Sequence, residues 1–333
     1  MKPYVYITRK VPESVLQPLQ EIAEVGMWPH EDQPVPRDVL LKEAARAEGL
    51  FTMVSDQIDA EVLNAAPKLK VVANMAVGYD NIAVAEATEK DIMVCNTPDV
   101  LTDTTADLTF ALLMASARRV VEASGYIRDN RWINWSPLLL AGHDIHHKTI
   151  GIVGMGRIGQ ATAKRATGFD MKILYHNRSR NEKAEQELGA TYCSLDELLE
   201  QADFVVCLAP LTSETKALFS TEAFKEMKSS AIFINASRGG LVDEDALYDA
   251  LKDGEIAGAG LDVFASEPIK ADHPLLQFEN VTALPHIGSA SLETRMKMAE
   301  MTVTNIANVL NGHAPVAVVN EDLVEKKGSN ASS

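Results

Sequence analysis

The stretch KTIGIVGMGRIGQATAKRA, residues 148–166, decides the fold. An apolar run leads into Gly154-Met155-Gly156-Arg157-Ile158-Gly159, and an amphipathic helical pattern follows. Three glycines at this spacing mean little alone; the strand before them and the helix after them give each a task. Gly154 permits the tight turn, Gly156 lets backbone approach a pyrophosphate, and Gly159 lets the helix pack closely on the strand. Arg157 and Ile158 then open a helix whose amino terminus faces the anion. The competing reading is an ordinary strand-turn-helix whose glycines serve only the turn. The reading adopted is a dinucleotide-binding turn.

The next strand arrives on schedule as MKILYHNRSR, residues 171–180. Its carboxyl end is where such a fold normally sets an acidic residue against the adenosine ribose, yet Asn177 stands there, followed by Arg178, Ser179 and Arg180. Loss of the carboxylate removes the repulsion of a 2′-phosphate, and arginine supplies planar donors for one. NADP(H) is therefore the expected cofactor, with Arg178 and Ser179 as the main phosphate contacts and Arg180 a lesser one. The alternative is NAD(H), with Asn177 bonded to the ribose hydroxyl and the arginines merely solvated.

Outward from this unit, short runs rich in valine and isoleucine alternate with amphipathic segments along the whole chain, the pattern of α/β architecture with parallel sheets. Strands are expected at 4–8, 50–52, 69–73 and 92–95, with helices at 12–21, 37–47 and 60–65. A long helix is expected at 101–121. After the loop 128–147, strands recur at 149–153, 171–175, 204–208, 232–235, 258–263 and 281–284, and a last helix at 291–310. The tail EKKGSNASS is polar enough to be disordered.

With 333 residues the chain exceeds what one core usually supports, so two domains are expected. No stretch approaches the roughly 20 apolar residues of a membrane span. The net charge of −16 argues against nucleic acid or an anionic membrane as partner. Cys95, Cys193 and Cys207 are few and unevenly spaced, as reduced thiols in a cytoplasmic protein would be. The Asn-x-Ser triplets at Asn134, Asn177 and Asn330 accordingly carry no weight as glycosylation sites. His143, His146 and His147 lack the accompanying ligands of a metal site, and no metal is expected.

Three further pieces each follow an expected strand: INASRGGLVDEDAL (234–247), GAGLDVFASEP (258–268) and ALPHIGSAS (283–291). Strand carboxyl ends of a doubly wound sheet surround one crevice, which would bring Arg238, Glu267 and His286 together. An arginine, a carboxylate and a histidine are the parts needed to reduce a 2-oxo acid. Singly, each has a bland reading: a strand cap, a surface charge, an interior histidine. Their joint occurrence behind an intact glycine turn favours the catalytic one.

Through VGMGRIG, NASRGGLVDEDAL, LDVFASEP and LPHIGSA, with AVGYDNI at 76–82, the chain resembles the D-isomer-specific 2-hydroxyacid dehydrogenase family from about residue 4 to 320. The resemblance implies two doubly wound domains, a Rossmann-type cofactor domain at 101–289 inserted into a flavodoxin-like substrate domain at 1–100 and 290–333, with the substrate cleft between them. It makes Arg238 the anchor of substrate carboxylate and carbonyl, and His286 the general acid on the carbonyl oxygen, oriented and kept charged by Glu267. Backbone amides of Val77 and Gly78 would grip the carboxylate, with Ser289 nearby. Thr104, Pro210, Ala236, Asp262 and Gly288 match further cofactor contacts.

Relatives of this kind are usually homodimers, and the tryptophan-bearing loop matches their dimer arm, about 123–147, from which Trp135 would reach the partner's site. Ser289 and the Trp-Ser-Pro-Leu of the arm lean towards glyoxylate and hydroxypyruvate reductases. The C-terminal regulatory domain of many phosphoglycerate dehydrogenases has no counterpart, and Glu267 stands where formate dehydrogenases use glutamine. 2-Ketogluconate reduction is the close alternative. A reading of another class is a nucleotide-sensing corepressor-like interaction protein.

Overall fold

The computed structural model describes residues 2–323; the tail EKKGSNASS lies outside them. The chain divides into two compact units, one running to Leu101 and resuming at Ser291, the other Thr102–Ala290.

The first unit is built on five parallel strands: β1 (Tyr4–Ile7), β2 (Glu24–Met27), β3 (Gly49–Thr52), β4 (Val71–Asn74) and β5 (Met93–Cys95). They lie in the order β2-β1-β3-β4-β5, the doubly wound order of flavodoxin-like sheets. All but edge strand β2 are buried throughout, because helices cover both faces. On one face Ala299, Val303 and Ile306 of the helix Leu292–Leu310 pack against Val5, Ile7, Phe51 and Val71. The other face holds Leu50, Val72 and Val94 against Leu40, Val62 and Ala87 of the intervening helices.

The second unit has seven parallel strands: β6 (Thr149–Val153), β7 (Lys172–His176), β8 (Thr191–Tyr192), β9 (Phe204–Cys207), β10 (Ile232–Asn235), β11 (Gly258–Leu261) and β12 (Val281–Ala283). Their order is β12-β11-β10-β9-β6-β7-β8. The winding reverses between β6 and β9, so the carboxyl ends of these two strands form the switch point at which open α/β sheets bind ligands. Apolar layers occupy both faces of this sheet, one gathered around Phe219, Phe224 and Phe233, the other around Ile150, Ile152 and Tyr175.

The long helix expected at 101–121 is two helices, Thr102–Ala117 and Val120–Arg128. Arg119 between them has φ 51° and ψ 36°, a left-handed conformation that turns the chain. No glycine or proline marks the break. The helix expected at 12–21 is a 3-10 turn, Glu13–Val15, followed by Gln17–Ile22, whose first turn accommodates Pro18 without losing a helical donor. The strands β2 and β8 and the helix Val84–Glu89 were not anticipated.

Candidate active site

The glycine turn is built as its spacing requires. Gly154 has φ 106°, and a Cβ there would lie 2.4 Å from the Ala209 nitrogen in the loop after β9. Gly159 faces the Gly154 carbonyl so closely that a Cβ would come within 2.2 Å of its oxygen. Gly156, by contrast, would meet nothing within 4 Å; the space over its backbone is open for an incoming group. It caps the helix Arg157–Thr167, whose first-turn amides, including those of Arg157 and Ile158, have no intrahelical acceptors. Positive φ, close packing and open backbone above a helix amino terminus together fit the pyrophosphate of a nicotinamide dinucleotide.

The loop after β7 braces this turn. The Asn177 side-chain oxygen accepts from the Met155 amide at 3.0 Å, and the Asn181 side-chain amide donates to the Met155 carbonyl at 3.0 Å. Asn181 also caps the helix Glu182–Leu188, and its own amide donates to the Tyr175 hydroxyl at 2.7 Å. That hydroxyl donates to Glu185 at 2.6 Å, and Glu185 is held again by Arg180 Nε and Nη2 at 3.0 and 2.5 Å. Arg180 is thus engaged with Glu185, whereas Arg178 and Ser179 lie exposed on the loop. The sequence reading missed Asn181, although an asparagine directly before a helical pattern is a cap signal.

The three expected catalytic side chains all belong to the second unit. Arg238 follows β10 in extended backbone, and its carbonyl accepts from the Asn235 side chain at 3.0 Å. Ser237 beside it donates its hydroxyl to the Ala209 carbonyl. Gly239 brings the next loop against this one: a Cβ there would lie 1.8 Å from the Phe264 carbonyl carbon. The same loop carries Glu267, one of whose oxygens accepts from the Phe264 amide at 3.0 Å while the other meets His286 Nδ1 at 2.7 Å. Burial alone would raise the Glu267 carboxyl; the His286 hydrogen bond and charge, the Phe264 amide and the charge of Arg238 outweigh it and hold Glu267 below the usual carboxylate range.

His286 itself is held by Asp262. The Asp262 carbonyl accepts from the His286 amide at 2.9 Å, and its two carboxylate oxygens accept from the amides of Ile287 and Gly288, each at 2.8 Å. Burial raises the Asp262 carboxyl above its usual range despite these two bonds and the nearby imidazole. Asp262 thus fixes the loop bearing the histidine, a role that the sequence, which suggested a cofactor contact, did not disclose. Thr104 and Gly288 sit on the helix Thr102–Ala117 and on this loop; Thr105 approaches Gly288, with Cγ2 3.3 Å from the position of a Cβ there. Pro210 follows β9 and its carbonyl accepts from the Thr215 hydroxyl at 2.6 Å, while Ala236 and Ser289 are half-buried in the loops after β10 and β12.

In the first unit, Val77 and Gly78 lie in the turn after β4. Buried Asn74 donates to the Gly78 carbonyl at 3.0 Å and to the Asn81 side chain at 3.1 Å, and Asn96 donates to the Val77 carbonyl at 2.9 Å. Neither the Val77 nor the Gly78 amide has an acceptor among the described residues. The arm is apolar and open: Trp132, Ile133, Trp135 and Leu138 are 60, 96, 75 and 82% exposed, and the helix Val120–Arg128 buries none of its residues. Among the described residues no helix is long and apolar enough to cross a membrane.

The sequence profile of the D-isomer specific 2-hydroxyacid dehydrogenase NAD binding domain matches residues 110–288. A glyoxylate reductase of Korarchaeum cryptofilum is 51% identical over 98% of either chain. A Thermus thermophilus protein of known structure superposes with a TM-score of 0.89 at 46% identity, over 95% of this chain and 99% of that one. An NADPH-dependent glyoxylate/hydroxypyruvate reductase of Sinorhizobium meliloti, solved with NADP and malonate, gives 0.83 at 33% identity, over 96 and 98%. With the glycine turn and the Arg-Glu-His set in place, the chain belongs to the D-isomer-specific 2-hydroxyacid dehydrogenases and is an NAD(P)-dependent enzyme of that family.

Proposed function

We propose that the enzyme reduces small 2-oxo acids, glyoxylate and hydroxypyruvate, to the corresponding D-2-hydroxy acids (glycolate and glycerate), with NADPH preferred to NADH. The observation on which this rests most is the 2.7 Å contact of His286 Nδ1 with Glu267. Glu267 accepts a hydrogen bond from Nδ1–H, which leaves Nε2 turned towards substrate as the proton donor. A bound reduced nicotinamide would supply the hydride for the carbonyl carbon. Arg238 binds the carboxylate and draws charge onto the carbonyl oxygen, and His286 delivers the proton that completes the hydroxyl. Val77 and Gly78 hold the carboxylate with their amides, and Ser289 lines the substrate site.

Thr104, Pro210, Ala236, Asp262 and Gly288 serve the nicotinamide side, either by touching it or by shaping the loops around it. The preference for NADPH follows from the neutral Asn177 and from Arg178 and Ser179 at the ribose position, and it matches the cofactor named for the Sinorhizobium relative. The exposed stretch 131–138 of the arm, with Trp132, Ile133, Trp135 and Leu138, suits a homodimer in which Trp135 reaches the partner's site. Burial pushes the thiols of Cys95 and Cys207 up to about 12, which disfavours their reactive thiolate form.

The test is a steady-state panel of glyoxylate, hydroxypyruvate and 2-ketogluconate with NADPH and NADH. Highest kcat/KM for glyoxylate or hydroxypyruvate with NADPH supports the reading. A higher value for 2-ketogluconate, or with NADH, overturns the corresponding part.

A further inference from the structure

The turn Ala76–Tyr79 has its carbonyls tied down one after another. The Ala76 carbonyl accepts from the Thr97 amide at 2.8 Å, the Val77 carbonyl from Asn96 Nδ2 at 2.9 Å, and the Gly78 carbonyl from Asn74 Nδ2 at 3.0 Å. In a trans peptide the N–H points opposite to the C=O. Each tether therefore aims one amide the other way: those of Val77, Gly78 and Tyr79, none of which has an acceptor among the described residues. Three successive peptide donors with no acceptor among the described residues can together serve as a nest for an anion. In a chain of net charge −16, neutral amides allow an anion site without a further cation.

The tethers are themselves rooted. Asn74 is fully buried, and its oxygen accepts from the Thr52 hydroxyl at 3.1 Å. Its second amide proton goes to Asn81, whose own amide donates to the Met53 and Asp56 carbonyls at 3.1 and 2.7 Å. The Asn96 carbonyl accepts from buried Asn305 of the last helix at 3.3 Å. Val77 and Tyr79, by contrast, are 36 and 46% exposed, so the side of the turn carrying them is open.

We propose that Asn96 and Asn74 are positioning residues that set this turn as a three-amide receptor for the substrate carboxylate, with the Tyr79 amide as a donor beside those of Val77 and Gly78. The inference rests on the reading that this turn takes the carboxylate. Asn96→Asp is nearly isosteric but cannot donate and sets its carboxylate against the Val77 carbonyl, so the tether is lost while the volume is kept. With the NADPH-loaded enzyme, the expected result is a rise of about ten-fold or more in KM for glyoxylate, with kcat within about three-fold and KM for NADPH unchanged. Asn96→Gln, which keeps an amide donor, recovers part of the loss.

Binding of oxamate, an unreactive analogue of a small 2-oxo acid, is measured by calorimetry in parallel. If glyoxylate is not reduced but oxamate binds to the wild type and at least ten-fold more weakly to Asn96→Asp, the substrate assignment fails and the nest stands. Unchanged KM and oxamate affinity in Asn96→Asp, equal loss of kcat and of NADPH binding, or no oxamate binding to the wild type would each overturn the proposal.

Discussion

His286 has φ 54°, a left-handed conformation that a non-glycine residue keeps only when its surroundings hold it. Asp262 does so through three backbone bonds, and Glu267 then fixes the ring. Asparagine at 262 would turn an amide donor towards one of the two N–H groups, so Asp262→Asn should lower both kcat and the melting temperature. His286→Asn, which removes the proton donor and the partner of Glu267, should lower kcat by about 10²–10⁴ and also lower the melting temperature. Glu267 ionises below the ordinary range, so its contribution to stability is present above the unfolded-state value of about 4.3 and is lost as pH falls through its lower folded value. The difference in melting temperature between wild type and Glu267→Gln should accordingly be largest near neutrality and shrink below about pH 4. A difference that grows with acid would contradict this.

At the scale of elements, the glycines separate folding from binding. Gly156→Ala adds a Cβ to open space, so the melting temperature should hold while KM rises for NADPH and NADH alike. Gly239→Ala would drive a Cβ into the Phe264 peptide and should cost several kcal/mol or prevent folding, as seen in thermal denaturation and soluble yield. The central strands and the glycine turn were legible because continuous valine and isoleucine runs have no other use than a two-sided core. Edge strand β2, Glu24–Met27, has no such run, and β8 is only two residues long. The break at Arg119 was hidden because arginine there takes a conformation that usually announces itself with glycine. That Glu267 and His286 could meet was legible from their places after strands. Asp262 as a clamp was not, since its partners are backbone amides about 25 residues away and any sequence supplies those.

For the whole molecule, two doubly wound sheets divide the chain where the second unit is inserted after Leu101 and left at Ser291. The arm lies in the inserted unit, and its exposed tryptophans are the surface on which the proposed dimer would form. Sedimentation should show a dimer, and Ile133→Asp, at a side chain 96% exposed, should yield monomers without unfolding either unit; a wild-type monomer would remove the arm's proposed role. The proposed reaction is hydride transfer to a small 2-oxo acid with Arg238 and His286 acting on it. The most direct measurement is oxidation of NADPH at 340 nm with glyoxylate by wild type, Arg238→Ala and His286→Asn side by side. Ready turnover by wild type, with each variant at least about 10²-fold slower, is the predicted result. Near-normal turnover by either variant, or none by wild type with any 2-oxo acid, would contradict it.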